Sequence, residues 1–351
     1  MRSFLLKIMI TWLLLLGQPA ILLADYIMGV TLFYGDSLHV FNVSDDGDIS
    51  FDYKVKLVPW SEDILFSENG TWGITAPGVS VVKVSPDRNI TFVDSIENED
   101  GRYIAISPDS KYGVYGCSLQ TLRYYPFGDF KVIPSTNLLL GASFRFSRFN
   151  EKIIALRWGY ILDEYVLMKD GRTTATGFSL DISPARGSQD LEITPDGKTC
   201  IALSGDEYQI TSLRIHEEGG FSLVQQFNTE SYGPWQVDFT PDSRYAIVSF
   251  VSISNYPDMI SYKINEDSTL TQIDTWNVDG IPGEDMAVTP DGKYAVTREL
   301  INADSHFHVI KIEKDGNLTE LPDKKFIYPG HCSAIDFVPP YSGEGTSFMM
   351  H

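Results

Sequence analysis

Thr289-Pro290-Asp291-Gly292-Lys293-Tyr294 joins a short apolar strand over 286–288 to a second one over 294–296. Proline presets φ at the first corner, the aspartate side chain caps the turn, and glycine takes a backbone conformation that a β-carbon disfavours. The device recurs as Thr194-Pro195-Asp196-Gly197-Lys198, Thr240-Pro241-Asp242-Ser243-Arg244 and Ser107-Pro108-Asp109-Ser110-Lys111-Tyr112. Altered copies stand at Ser67-Glu68-Asn69-Gly70-Thr71-Trp72, Ser147-Arg148-Phe149-Asn150-Glu151-Lys152 and Val338-Pro339-Pro340.

The apolar residue before each turn is a marker: Phe66, Ile106, Phe146, Ile193, Phe239, Val288 and Phe337, at intervals of 40, 40, 47, 46, 49 and 49 residues. A period in the forties carrying only short strands predicts an all-β, seven-bladed β-propeller of four-stranded antiparallel blades. No segment keeps a helical apolar period, which disfavours alternating helices and strands. Each repeat continues with an outer hairpin, as at 261–270, 308–318, 213–221, 81–90, 122–132 and 165–175; the seventh, 38–49, precedes the first inner pair. The last blade is therefore closed by N- and C-terminal strands, with 334–337 and 347–350 expected as its inner pair. Deleting 341–351 is expected to leave that blade a strand short.

Residues 1–24 read as an export signal. Arg2 and Lys7 flank the amino end, 8–16 is apolar, and Gly17-Gln18-Pro19 breaks the run before Ala24, near which cleavage is expected. A bilayer anchor needs about 20 uninterrupted apolar residues. The expectation is a secreted or periplasmic protein of 25–351, with no membrane span after signal cleavage. Without 1–24, which hold two bases and no acids, 25 basic residues face 47 acidic ones, a net charge of −22. That excludes nucleic acid, whose binding relies on clustered Lys and Arg, and favours a neutral or cationic small ligand, a saccharide or a basic protein partner. Three cysteines, Cys117, Cys200 and Cys332, support no disulfide framework and read as small buried hydrophobes.

Aligned on the markers, the inner strands separate into columns. The marker and the residue two before it (Ile64, Ile104, Phe144, Leu191, Val237, Met286 and Ile335) are apolar, and this face is expected to pack on the next blade. The intervening and preceding columns predict a channel lined by Asp63, Asp190, Glu192, Asp238, Asp285 and Asp336, offset by Arg145 and Arg102. Glu62, Trp235, Glu284 and His331 are expected at the rim, beside Gln236. Crowded carboxylates repel, so some should titrate high unless a cation or arginine is present. Two readings stay open. The acids satisfy backbone amides of neighbouring strands, or they hold a ligand at the mouth, with no cofactor beyond a divalent cation in the channel.

Other motifs carry less. His306 and His308 share a strand face without a third ligand nearby. Asp45-Asp46-Gly47-Asp48 lacks the spacing of a calcium loop and reads as a hairpin turn. Asn42, Asn69, Asn89 and Asn317 head Asn-X-Ser/Thr triplets. No phosphate-binding glycine loop or nucleophile elbow is present.

The Pro-Asp-Gly-Lys-Tyr turns, and hairpins such as 308–318 with Asp315-Gly316-Asn317-Leu318, resemble the seven-bladed lactonase-like propellers of the 6-phosphogluconolactonase and carboxymuconate cyclase type. The likeness covers nearly the whole mature chain. That resemblance implies a hydrolase acting on a lactone or related ester, with Glu284, Asp285 or His331 as general base and Arg102 or Arg145 steadying the oxyanion. The family's Gly-Pro-Arg-His stands here as Gly233-Pro234-Trp235-Gln236, without the arginine and histidine. Arg102, Arg145, Arg186 and His331 are the residues available to replace them. A ligand-binding or interaction module is the leading expectation; lactone hydrolysis is the alternative.

Overall fold

A computed structural model describes residues 26–96, 103–116, 120–124, 130–133, 141–149, 152–157, 161–183, 188–229, 233–251, 257–277 and 282–340. The turns close as their residues dictate. In 289–294 the Thr289 hydroxyl donates to Asp291 Oδ1 (2.8 Å), which also accepts the Lys293 amide (3.0 Å), while Thr289 Oγ1 accepts the Tyr294 amide (3.0 Å). Gly292 sits at φ 73°. The bonds repeat at Thr194, Thr240 and Ser107, and at Ser67 with Asn69 standing in for aspartate. Ser110 and Ser243 take the left-handed position that glycine fills elsewhere.

Seven antiparallel sheets follow, six of four strands and one of five. Blades 1 to 7 are named here by their inner strands: Ser61–Phe66, Ile104–Ile106, Gly141–Phe146, Ser188–Ile193, Gly233–Phe239, Pro282–Val288 and Cys332–Val338. Each inner strand touches the next, and the seventh touches the first, so the ring is closed. The extra strand is Phe326–Tyr328, which pairs beside Leu318–Glu320 on the third strand of blade 6.

Closure differs from expectation in one respect. Blade 7 runs Cys332–Val338, Tyr26–Leu32, Ser37–Val43, Ile49–Lys56. Its second strand comes from the amino end, pairing Met28 with Phe337 and Val30 with Ile335. The sequence around 26–32 lacks a turn marker, so it was not legible as a blade strand. The stretch 347–350 lies outside the described residues, and its expected place is filled.

Among the described residues the apolar core is seven clusters, one in each gap between adjacent blades. The marker face packs on the preceding blade, not the next: Leu191 lies with Ile154 and Leu156 of blade 3, and Val237 with Ile201 and Leu203 of blade 4. Cys200 and Cys332 are buried free thiols in such gaps, and burial pushes the Cys332 thiol up to about 11. Cys117 lies outside the described residues. No helix among them is long and apolar enough to cross a membrane.

Candidate functional site: the channel and its mouth

Each inner strand is a blade's edge and leaves alternate N–H groups without a strand partner, a state that costs free energy when buried. The channel acids meet that need. Asp190 accepts the Leu191 amide (2.8 Å) and, across the gap, the Val237 amide of blade 5 (3.1 Å). Asp238 accepts Phe239 and the Val288 amide of blade 6, both at 2.7 Å. Asp336 accepts Phe337 and the Phe66 amide of blade 1, both at 2.8 Å. Gln236 Oε1 accepts the Met286 amide at 2.7 Å. One side chain thus ties two edges together, always toward the following blade.

Arg145 joins this system from blade 3. Its guanidinium meets Glu192 at 2.5 Å, lies 3.7 Å from Asp190, and donates to the Ile104 and Phe144 carbonyls (3.2 and 3.0 Å). Burial works against its charge, yet Glu192, Asp190 and Asp63 outweigh it and hold the group above its ordinary value. Burial raises the Glu192 carboxyl to about 8 despite Arg145, and the Asp63 and Asp238 carboxyls to about 6. It also raises Asp190, against Arg145 and two amides, and lifts Asp336 well above the usual range.

Asp63 stands apart. Its Oδ1 accepts only the Ile64 amide of its own strand (2.8 Å), and its other oxygen has no hydrogen-bond partner among the described residues. Three residues before its marker, it lies on the mouth side of the column that holds Arg145.

The rim column has a backbone origin that the sequence did not reveal. The pairing of inner with second strand slips between Ser61 and Asp63, Gly141 and Ser143, Ser188 and Asp190, and Pro234 and Gln236. Glu62 and Trp235 therefore sit in β-bulges, which re-aim side chains. In blade 6 the slip spans Pro282 to Met286. There Asp285 pairs with Arg298 at 3.1 Å, a buried arginine absent from the sequence-based channel set. Arg102 and Arg186 lie outside the described residues, as does the Glu284 side chain.

His331 stacks on Phe33 (ring centroids 5.2 Å apart, 22° between planes). Phe33 and Tyr34 follow the second strand of blade 7, and Trp60 precedes the inner strand of blade 1, so all reach the mouth face, opposite the Pro-Asp-Gly turns. Sequence reasoning missed these three rings, which carry no repeat signal. His308 is no surface ligand: it is buried, with its ring nitrogens 3.0 Å from Glu320 and 3.1 Å from Glu299. Among the described residues no group of three or more His, Cys, Asp or Glu side chains is placed to hold a metal ion.

No family model and no curated relative matches the chain. Solved structures do. A putative 6-phosphogluconolactonase from Bacteroides fragilis matches with a TM-score of 0.75 at 16% identity, over 92% of this chain and 100% of that one. One from Bacteroides uniformis gives 0.75 at 14%, over 90% and 99%. The Pseudomonas aeruginosa periplasmic gluconolactonase gives 0.74 at 13%, over 90% and 99%. The fold is thus a β-propeller, the architecture it shares with these structures; likeness at this identity establishes architecture, not reaction.

Proposed function

We propose that this is an exported ligand-binding propeller whose channel mouth takes a small neutral or cationic ligand, with saccharides the leading class. Asp63 carries the reading. Asp190, Asp238 and Asp336 of blades 4, 5 and 7 are engaged by backbone amides and Glu192 by Arg145, whereas Asp63 keeps an acceptor oxygen for a ligand hydroxyl or ammonium. Trp235, Glu62 and His331 stand at the same end of the inner strands. The test is calorimetric titration of residues 25–351 with mono- and oligosaccharides, divalent cations and basic peptides. A ligand whose affinity drops at least tenfold in Asp63→Asn supports the proposal; a panel with no binder, or binding indifferent to Asp63, overturns it.

Lactone hydrolysis is the second reading, supported by neighbours named as a putative 6-phosphogluconolactonase and a periplasmic gluconolactonase and by a carboxyl raised to about 6 at Asp63, suited to a general base near neutral pH. Asp285 and Arg145 are bound to Arg298 and Glu192 respectively, so this reading centres on Asp63. Proton release from sugar and aliphatic lactones, abolished in Asp63→Asn, would favour it over simple binding.

A further inference from the structure

The rings at the border of blades 7 and 1 are exposed although they are large and apolar. Tyr34 is 61% exposed, Trp60 56% and Phe33 44%, and they are contiguous: Phe33 and Tyr34 centroids lie 4.3 Å apart at 65°, Tyr34 and Trp60 4.7 Å apart at 80°. Contiguous exposed apolar surface of this kind marks binding sites. The backbone is committed to the display. Tyr34 (φ 55°) and Trp60 (φ 68°) are both left-handed, a strained conformation for bulky side chains that persists only where neighbours enforce it. They do so here. The Trp60 amide donates to Gly35 O (2.9 Å), its carbonyl accepts the Gly78 amide (2.9 Å), and the Phe33 amide donates to His331 O (2.9 Å). A side chain at position 78 would collide with the Pro59 carbonyl.

We propose that the near-perpendicular corner between Tyr34 and Trp60 binds an organic cation of the quaternary-ammonium class, with Glu62 as its counter-ion. This rests on the reading of the mouth face as ligand-binding and names the ligand chemistry at its blade 7–blade 1 edge. Three charge arguments select the class. Aromatic faces attract cations through the ring quadrupole. Glu62 reaches the cluster, its Oε1 accepting the Tyr34 amide at 3.3 Å while Oε2 has no hydrogen-bond partner among the described residues. The nearby Lys56 is neutralised by Asp36, and the chain carries a net charge of −20. An anion is repelled, a neutral ligand gains nothing from this field, and a cation gains from all of it. A primary ammonium would need several acceptors to replace its water; the corner offers one carboxylate and several ring faces, which suits a methylated nitrogen.

The experiment titrates residues 25–351 with choline and with 3,3-dimethyl-1-butanol, its neutral carbon isostere, at matched ionic strength. Choline is expected to bind at least tenfold more tightly than the isostere. Trp60→Leu, which keeps apolar bulk without a π face, should weaken choline about tenfold, Trp60→Phe should restore part of that loss, and Glu62→Gln should weaken it severalfold. Thermal melts should show each variant folded. Equal affinity for the isostere, undiminished binding in Trp60→Leu, or no choline binding each overturns the proposal. A saccharide bound through Asp63 by a protein that ignores choline would leave the mouth reading standing and remove this one.

Discussion

The joint between blades 4 and 5 and the joint between blades 1 and 2 begin from the same residue in the same column. Asp190 and Asp63 each stand three before a marker and each accept the amide of the next residue, at 2.8 Å. Asp190 then reaches Val237 of the following blade; among the described residues Asp63 bonds no amide of the following blade and keeps an oxygen open. Identical local sequence logic therefore yields a structural clamp in one place and an available carboxylate in the other. The deciding quantity is whether the next blade's edge amide comes within reach.

Breaking the ring tests the frame within which that contrast exists. Deleting 332–351 removes the inner strand of blade 7 and the Asp336 clamp, and is expected to abolish cooperative thermal unfolding by calorimetry. Next in size is the contrast itself. Asp190→Ala strands two buried amides at roughly 1–3 kcal/mol each and removes a neighbour of Arg145, so denaturant unfolding should show a large loss. Asp63→Asn leaves one amide, keeps an acceptor for it, and removes a buried charge; its stability at pH 8 should equal or exceed that of the unaltered protein.

A pH series sharpens the comparison. Asp63 and Asp238 are raised to about 6 and Glu192 to about 8, chiefly by burial. Between about pH 4, where such groups ionise in the unfolded chain, and these values the folded chain holds more protons. Stability from these groups is full below the unfolded values and is lost as pH rises through 6 and then 8. Melting temperature should fall from pH 5 to pH 8, and Asp63→Asn should flatten the first part of that fall. The smallest effect is expected from truncation after Pro340, which spares every described strand of blade 7 and should leave the melting temperature nearly unchanged. A large drop there would restore the closure first expected from the sequence.

Most of the architecture was legible because it repeats. Turn chemistry at Thr194, Thr240 and Thr289 and apolar spacing at the markers recur blade after blade, and each is fixed by residues adjacent in the chain. The candidate site was legible only in part. The columns located Asp63, Asp190, Asp238 and Arg145 in the channel, but not that Gln236 would clamp Met286 or that Asp285 would meet Arg298. Bulges at Glu62 and Trp235 leave the pattern of polar and apolar residues untouched, so no periodicity betrays them. The Tyr34–Trp60 corner was invisible for a different reason: its members come from two separate connections, one within blade 7 and one leading from blade 7 to blade 1, and neither belongs to the repeat.

The sequence by itself determined a ring of short-stranded blades, the turns that close them, an acidic channel and a strongly negative chain. These follow from local dihedral preference and from alternation along a strand, both properties of neighbouring residues. Tertiary structure alone decided that the amino-terminal strand 26–32 completes the last blade, which acids clamp edges and which one keeps an oxygen open, and where exposed rings converge. Those depend on distances across the gaps between blades, and such distances are set only when the ring closes.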